Sequence, residues 1–287
     1  MLYPLLFKPI LKKLVWGTES WDICIRPGED GAKGDMSIIE NGPLAGMSLH
    51  DAIMQDREAY LGTRLAKQYR KRGFPLLVKI IEAHDDLSVQ VHPGFGNDAK
   101  NEMWYILKAK PNQEIVLGVT TEATGEILKR NPTKCLRYMP INAGDIINIP
   151  AGLVHALTGG VKLAEIQQNS DTTYRLYDYG RLGLDGFPRE LHLKEGVGAI
   201  DFTNPSHSPP QFVVKKFGFD GEFRLDSDPE TFTTITCVEG SCTINGVALP
   251  LERSCFVPAG IGAYVMKGKA TLLFASIPNP NSEEDEE

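Results

Sequence analysis

The sequence lacks the features of a membrane or exported protein. None of its 287 residues belongs to an apolar run long enough to cross a bilayer, for which about 18 residues are needed. The N-terminal segment is apolar, but Lys8, Lys12 and Lys13 interrupt it and no small-residue cleavage site follows. We therefore expect a cytoplasmic protein with no membrane partner.

Cysteine is scarce and its spacing is not that of a metal-binding motif. The chain has five cysteines, an odd number, and they match no zinc-ribbon pattern. They are Cys24, Cys135, Cys237, Cys242 and Cys255. Reduced thiols that pack in the core are the expectation for such a set in a cytoplasmic protein.

An excess of positive charge is also absent. Lys and Arg number 30 against 37 Asp and Glu, so the net charge of −7 does not favour nucleic acid as a partner. Five acidic residues end the chain at 283–287, behind a Pro-Asn-Pro run, and we expect residues 279–287 to form a disordered acidic tail. The remainder is nearer neutral and is compatible with an anionic substrate.

Short strands separated by Gly and Pro dominate the chain after Pro75, which predicts an all-β dominated fold of the sandwich or barrel type. The main exception is a helical addition at about 48–72. Ser48 can cap its start and Gly73 follows its basic end, which predicts one or two helices. A further short helix is predicted within 121–130, where acidic residues come early and basic ones late.

An internal repeat indicates two related β-barrels. Residues 145–156 (DIINIPAGLVHA) are similar to residues 254–264 (SCFVPAGIGAY), and aligning the Pro-Ala-Gly runs places Ala263 opposite His155. We therefore predict a metal-binding domain at 1–203, which includes the helical insert, and a metal-free domain at 204–278. A Pro-containing linker would join them.

A polar strand face carries the first candidate ligands. Residues 87–93 (LSVQVHP) alternate strictly, so that Gln90 and His92 share one face while the apolar residues share the other. Glu102 and His155 come from other strands of the same predicted barrel, and inward-facing strands can bring such side chains together. Two imidazoles, one carboxylate and one amide oxygen suit zinc or another divalent first-row metal, with a coordination position left for water or substrate.

Four motifs in chain order then resemble the type I mannose-6-phosphate isomerases, most of all their short bacterial form. They are LSVQVHP at 87–93, KNE at 100–102, IPAGLVHA at 149–156 and SDTTYR at 170–175. The resemblance covers nearly the whole chain. It implies a pair of cupin-type (jelly-roll) barrels, although the large helical domain of longer members is missing or reduced to the segment at 48–72.

The resemblance also implies a metal, a substrate and a reaction. The implied cofactor is one zinc ion per chain, held by Gln90, His92, Glu102 and His155. Arg175 matches an active-site arginine, while Lys100 and Ser88 match residues that line the pocket. The implied enzyme interconverts mannose 6-phosphate and fructose 6-phosphate through an enediol, and we expect it to be a monomer or a homodimer.

The residues leave the proton-transfer group open. A base is needed near C1 and C2 of the sugar, and the candidates are Lys100, Asp171 or a water at the metal site. Arg175 is always charged and is suited to stabilising the enediolate. We expect Ser88, Lys100 and Arg175 to contact the sugar phosphate, without an assignment of its phosphate end.

Two other functions are compatible with the same ligand types. One is a different metal cupin, such as an iron dioxygenase, and the other is a cupin that binds sugar without turnover. A second, nucleotidyltransferase activity is not expected, because the chain has no Gly-rich nucleotide loop.

Overall fold

The structure is a computed structural model that describes residues 2–26, 28, 34–206 and 211–279. Most of the regular structure consists of β-strands, which confirms the predicted all-β dominated fold. All five cysteines are buried thiols that form no disulfide, as expected. Within the described part of the chain, no helix has the length and apolar character needed to span a membrane. The predicted acidic tail lies outside the described residues beyond Asn279.

The strands, numbered in chain order, are β1 Leu5–Lys8, β2 Ile10–Leu14, β3 Gly17–Ile23, β4 Ile25–Arg26, β5 Asp35–Met36, β6 Ile38–Ile39, β7 Leu76–Ala83, β8 Val89–Val91, β9 Glu102–Lys108, β10 Glu114–Val119, β11 Leu136–Pro140, β12 Ile146–Ile149, β13 His155–Ala156, β14 Lys162–Gln168, β15 Tyr174–Tyr177, β16 Val213–Asp226, β17 Thr233–Ile244, β18 Val247–Leu249, β19 Ser254–Val257 and β20 Ala263–Ser276. The α-helices are α1 Leu49–Gln55, α2 Arg57–Leu61, α3 Thr63–Arg72, α4 Gly125–Arg130 and α5 Leu193–Ala199. Short 3-10 helices span Gly42–Leu44, Gly96–Asp98, Pro132–Cys135 and Ala259–Ile261.

The helical addition consists of three helices and not of one or two. Ser48 caps α1, as predicted, because its hydroxyl accepts the backbone N–H of Asp51 at 3.0 Å. Asp56 ends α1 and caps α2 in the same way. Gly62 then breaks the path before α3, with φ at +89°, and a Cβ there would lie 2.2 Å from the carbonyl carbon of Glu230. Local capping and one left-handed glycine therefore divide the segment.

The described residues cluster into two compact units, each discontinuous in sequence. Unit 1 comprises Met1–Ile10, Asp22–Val78 and Pro210–Glu287. Unit 2 comprises Leu11–Trp21 and Lys79–Pro209. The predicted division into a catalytic domain at 1–203 and a second domain at 204–278 stays a prediction about functional domains.

Unit 1 is built on a seven-stranded sheet with the order β16-β20-β17-β19-β1-β6, and β18 pairs with β17. Its apolar core includes Ile235, Leu272, Cys237, Cys242 and Cys255. The pairing supports the internal repeat. Strand β17 pairs with both β19 and β20, as β9 pairs with both β12 and β14. His155 begins β13 and Ala263 begins β20, each just after a Pro-Ala-Gly turn.

Unit 2 contains a five-stranded sheet with the order β11-β10-β13-β8-β15 and most of a six-stranded sheet with the order β12-β9-β14-β7-β3-β2. One apolar cluster is formed by residues of both sheets, among them Leu117 of the first and Trp104 and Leu163 of the second. A second cluster lies on the other side of the five-stranded sheet, where α4 and α5 pack against it. Apolar clusters therefore lie against both faces of the five-stranded sheet.

Strand β8 is shorter than the predicted alternating stretch. Val89 and Val91 pack in the cluster beneath α4 and α5, whereas Leu87 packs in the cluster shared by the two sheets. The prediction that all three share a face is wrong for Leu87, because this residue precedes the strand and its backbone N–H bonds to Leu157 instead. The alternation holds from Val89 onward and directs Gln90 away from the helices.

Candidate metal centre

Three buried side chains of unit 2 bring their ligand atoms within 4.8 Å of one another. They are His92, Glu102 and His155. His92 directly follows β8, Glu102 begins β9 and His155 begins β13, so three different strands position them. The Nε2 atom of His92 lies 3.0 Å from Oε1 of Glu102, and Nε2 of His155 lies 3.9 Å from Oε2. The predicted ligand set thus converges.

Backbone carbonyls fix the orientation of both imidazole rings. Nδ1 of His92 lies 2.9 Å from the carbonyl oxygen of Thr172, and Nδ1 of His155 lies 2.9 Å from that of Leu153. A neutral imidazole that donates from Nδ1 carries its lone pair on Nε2. Both lone pairs therefore face Glu102, which is the arrangement that metal-binding histidines require.

Gln90 lies beside this trio and is the fourth predicted ligand. It is paired in register with His155 across β8 and β13, and its Nε2 atom lies 3.3 Å from Nε2 of that histidine. The Oε1 atom accepts a hydrogen bond from the hydroxyl of Ser88 at 3.3 Å. Because a rotation of the amide about its terminal bond exchanges oxygen and nitrogen, an oxygen can be presented to the same point as the imidazole nitrogens.

Burial keeps both imidazoles neutral. It lowers the pKa of His92 to about 3, and the neighbouring ammonium of Lys100 acts in the same direction. The pKa of His155 is also lowered, again mainly by burial. Burial raises the pKa of Glu102, but Lys100 and His92 outweigh it, so that this pKa lies well below its ordinary value. An ionised carboxylate and two neutral imidazoles are the protonation states in which these groups bind metals.

The donor set fits a divalent cation. Oε1 of Glu102 is buried and accepts no hydrogen bond of normal geometry, although Lys100 and His92 contact it. Two imidazole nitrogens, this oxygen and an amide oxygen form an N2O2 set, which suits zinc and its first-row neighbours. We conclude that the residues fit a resident metal.

Lys100 belongs to the same cluster. Its side chain is 6% exposed, and Nζ lies 2.5 Å from Oε1 of Glu102 and 3.4 Å from Nε2 of His92. It reaches this point because the turn after His92 brings the backbone N–H of Lys100 to the carbonyl of Pro93. A primary amine is therefore held next to the ligands, as the pocket role predicted for Lys100 requires.

Arg175 and Asp171 lie on the next strand of the sheet and on the segment before it. Arg175 pairs in register with Gln90 across β15 and β8, which places both side chains on the same face of the sheet. The pKa of Arg175 is lowered by burial and by the charge of Arg189, while Asp171 partly opposes the shift. Asp171 is exposed and Arg175 is half-buried. Only the arginine is thus held by the sheet beside the ligands.

Sequence reasoning did not single out Arg189. Its guanidinium donates from Nε and Nη2 to the buried carboxylate of Asp178 at 2.6 and 2.5 Å. Arg181 donates to the same carboxylate at 2.9 and 2.7 Å. Burial raises the pKa of Asp178, but the two arginines outweigh it and lower that pKa overall. This cluster ties the segment after β15 together near Arg175, and no short motif signals it.

A second array that sequence reasoning missed lies next to Glu102. The indole of Trp104 donates to both Glu102 and Glu165, and Lys79 forms an ion pair with Glu165 at 3.0 Å. Burial and the charge of Glu102 raise the pKa of Glu165. Burial lowers the pKa of Lys79, but Glu165 and Glu19 outweigh it and raise that pKa overall. The sequence did carry a signal for this array. Lys79 has apolar neighbours on both sides in the strand LLVKIIEA, and a lysine buried in such a strand needs a charged partner.

Comparisons with known proteins show which family this chain resembles. A family model, phosphomannose isomerase type I catalytic domain, matches residues 31–123. The mannose-6-phosphate isomerase ManA of Bacillus subtilis is 31% identical, and the probable mannose-6-phosphate isomerase GmuF of the same organism is 36% identical; each alignment covers 96% of this chain and 99% of the relative. The crystal structure of the mannose 6-phosphate isomerase from Bacillus subtilis superimposes with a TM-score of 0.81 at 29% identity, over 96% of this chain and 99% of that one.

Proposed function

The chain belongs to the type I phosphomannose isomerase family, and we propose that its reaction, the interconversion of mannose 6-phosphate and fructose 6-phosphate, takes place at the candidate metal centre. The observation that carries this proposal is the convergence of three buried ligand atoms from His92, Glu102 and His155 within 4.8 Å. Lys100 contacts two of these residues, and Arg175 lies on the adjoining strand. No other group of three such ligands occurs in the described ranges.

The proposed cofactor is one zinc ion per chain. Gln90, His92, Glu102 and His155 would hold it. Zinc favours four such donors and accepts a further one, and it has no redox chemistry that an isomerase would have to suppress. When bound, it would polarise the sugar carbonyl and hold neighbouring sugar oxygens.

Two cations are proposed to recognise the substrate. Lys100 and Arg175 would contact the anionic sugar phosphate and its enediolate, since both are charged side chains on the face that carries the ligands. Ser88 is 3% exposed and bonds to Gln90, so its hydroxyl would orient that amide as well as contact the sugar. Burial of Arg175 strengthens its interaction with an oxyanion, because the local dielectric is low.

The proton transfer is assigned to Lys100. In its neutral form the amine would remove the proton from C2 of the open-chain aldose, and the ammonium that results would pair with the enediolate. Return of a proton to C1 and transfer of the hydroxyl proton of O2 to O1 would then give the ketose. The step rearranges protons and one carbon–carbon double bond, so no oxidant or reductant is needed. Lys100 is preferred over Asp171 because its amine is buried against Glu102, whereas Asp171 is exposed.

A coupled assay tests this proposal. Purified protein should convert mannose 6-phosphate to fructose 6-phosphate, lose the activity after treatment with a chelator and regain it when zinc is added back. Uptake of oxygen, together with an activity that returns only when iron is added, would favour an iron dioxygenase. Binding of the sugar without turnover would favour a non-catalytic cupin. Either result would overturn the proposed reaction.

The cellular setting is proposed from the same chain. Five buried thiols outside any disulfide support a reducing compartment, and we place the enzyme in the cytoplasm. A monomer or a homodimer stays a prediction, which sedimentation of the purified protein would decide.

A further inference from the structure

Behind Glu102 lies a buried array of polar groups that neither metal binding nor the proposed proton transfer uses. Trp104, Glu165 and Lys79 form it, and their exposed fractions are 1%, 3% and 4%. Glu19 joins Lys79 at 3.6 Å. Burying two carboxylates and an ammonium beside a third carboxylate carries a large desolvation cost, which is repaid only through close pairing. Such an array calls for a reason beyond packing.

The indole of Trp104 joins the array to the metal centre. Its Nε1–H lies 3.0 Å from Oε2 of Glu102 and 3.1 Å from Oε2 of Glu165, so that one donor is shared by two carboxylates. The arrangement follows from the sheet. Trp104 is two residues after Glu102 on β9 and shares its face, while Glu165 is the register partner of Trp104 on β14.

The two oxygens of Glu102 consequently have different surroundings. Oε2 accepts the indole hydrogen bond at 3.0 Å and lies 3.9 Å from Nε2 of His155, whereas Oε1 lies 3.0 Å from Nε2 of His92. A carboxylate with one oxygen held in this way cannot rotate freely about its terminal bond. Oε1 is then held beside Nε2 of His92.

Glu165 is itself anchored from behind. Its Oε1 atom is 3.0 Å from Nζ of Lys79, and its Oε2 atom takes the indole bond. Lys79 also lies over the ring of Trp21, with Nζ 5.4 Å from the ring centroid, and Trp21 donates to Glu19. The indole therefore has a fixed acceptor on the side away from the ligands, which holds its N–H in place.

We propose that Trp104 is a positioning residue for the metal centre: its N–H holds Oε2 of Glu102 so that Oε1 faces the metal, and the Lys79–Glu165 ion pair fixes that N–H. The inference rests on the proposed metal centre. Partners that orient a ligand side chain typically change metal affinity by about 10- to 100-fold when they are removed. Trp104 does not touch the substrate in this account and acts only through Glu102.

The test compares two tryptophan substitutions in the full-length, zinc-loaded protein. Trp104→Phe removes the N–H and keeps an aromatic ring. Trp16→Phe is the matched control, because Trp16 is buried in the same apolar cluster and no hydrogen bond in the described structure joins its indole to a ligand. The dissociation constant of zinc is measured by competition with a chelator, and the thermal unfolding of the zinc-free proteins is measured in parallel.

We expect Trp104→Phe to raise the dissociation constant of zinc by about 10- to 100-fold and Trp16→Phe to leave it unchanged. The visible spectrum of the cobalt-substituted protein should shift in the first variant and not in the second, since it reports ligand geometry. Equal zinc affinities in Trp104→Phe and wild type would overturn the proposal. So would an equal weakening in both variants, because this would show a packing effect.

A second variant covers the case in which Trp104→Phe does not fold. Replacement of Trp104 by 3-benzothienylalanine substitutes sulfur for the N–H in a ring of nearly the same size. Weaker zinc binding is again the expected result, and a zinc affinity equal to that of wild type would again overturn the proposal. Glu165→Gln should weaken zinc binding in the wild-type background and have little further effect in the Trp104→Phe background. The zinc affinity is measured independently of the isomerase reaction. Tight zinc binding by a wild type that does not isomerise mannose 6-phosphate would therefore refute the proposed reaction and leave this inference standing.

Discussion

Gln90 and His155 lie directly opposite each other on neighbouring antiparallel strands, and their side-chain nitrogens are 3.3 Å apart although 65 residues separate them in the chain. Strand β13 contains only two residues, so the register of this short pairing sets the geometry of half the ligand set. A slip of one residue would direct His155 into the cluster beneath α4 and α5.

Replacing His155 by alanine should abolish stoichiometric zinc binding. The side chain is fully buried, and its Nε2 atom faces Glu102. Elemental analysis of wild type should give about one zinc per chain, and the variant should retain little, with a loss of activity to match. His84→Ala is the control, because His84 is exposed at 65% of its side-chain surface. Full zinc content and activity in His155→Ala would remove this residue from the site.

Arg175→Ala should reduce kcat by about 10²- to 10³-fold, which is the typical loss when a charge-stabilising donor is removed from an active site. The fold should tolerate the change, because Arg175 is only half-buried. Its hydrogen bonds to His192 are made by its backbone N–H and carbonyl, which the substitution keeps. Steady-state kinetics and circular dichroism of the variant check both statements.

The control for Arg175 is Arg130→Ala, because Arg130 is 84% exposed on α4. It should have wild-type kinetics. An Arg175→Ala enzyme whose kcat equals that of the control would take the arginine out of the mechanism.

Lys100→Met should lower kcat by about 10²- to 10⁴-fold, because a general base near C1 and C2 contributes on that scale. Methionine preserves the apolar part of the buried stem. The measurement is exchange of deuterium from solvent into the sugar at C1 or C2, which reports proton transfer directly. Asp171→Asn is the comparison. A larger loss of exchange in Asp171→Asn than in Lys100→Met would assign the base to Asp171.

The stability of the zinc-free protein should fall on acidification. The pKa of His92 is about 3 in the folded protein, mainly because of burial, and about 6.5 in the unfolded chain. Between these values the unfolded state binds more protons, so the free energy of unfolding decreases as the pH falls below about 6.5. His92 alone should remove on the order of 1 kcal/mol between pH 7.5 and 5.5, and His155 acts in the same direction.

Urea unfolding of chelator-treated protein at the two pH values checks this dependence. His92→Gln should show a smaller change between them than wild type. An identical pH dependence in wild type and variant would show that His92 does not carry the effect.

Local chemistry allowed part of the fold to be predicted. The cap at Ser48 and the Pro-Ala-Gly turns before His155 and Ala263 depend on neighbouring residues alone, and they are found where the sequence places them. The division of the helical insert at Gly62 was missed. The left-handed conformation of this glycine excludes a Cβ beside Glu230, which is distant in sequence. Leu87 was assigned to the wrong face for a similar reason, because its N–H bonds to Leu157.

The sequence by itself was enough to predict the ligand types of the proposed metal centre. Strand alternation requires Gln90 and His92 to share a face, and the motifs around Glu102 and His155 identify their partners. Only the tertiary structure decided which groups stand behind them. Trp104, Glu165 and Lys79 come from three strands, and their contacts depend on the order and register of β9, β14 and β7. Strand pairing over long sequence separations is set by the packing of the whole sheet, and no local pattern encodes it.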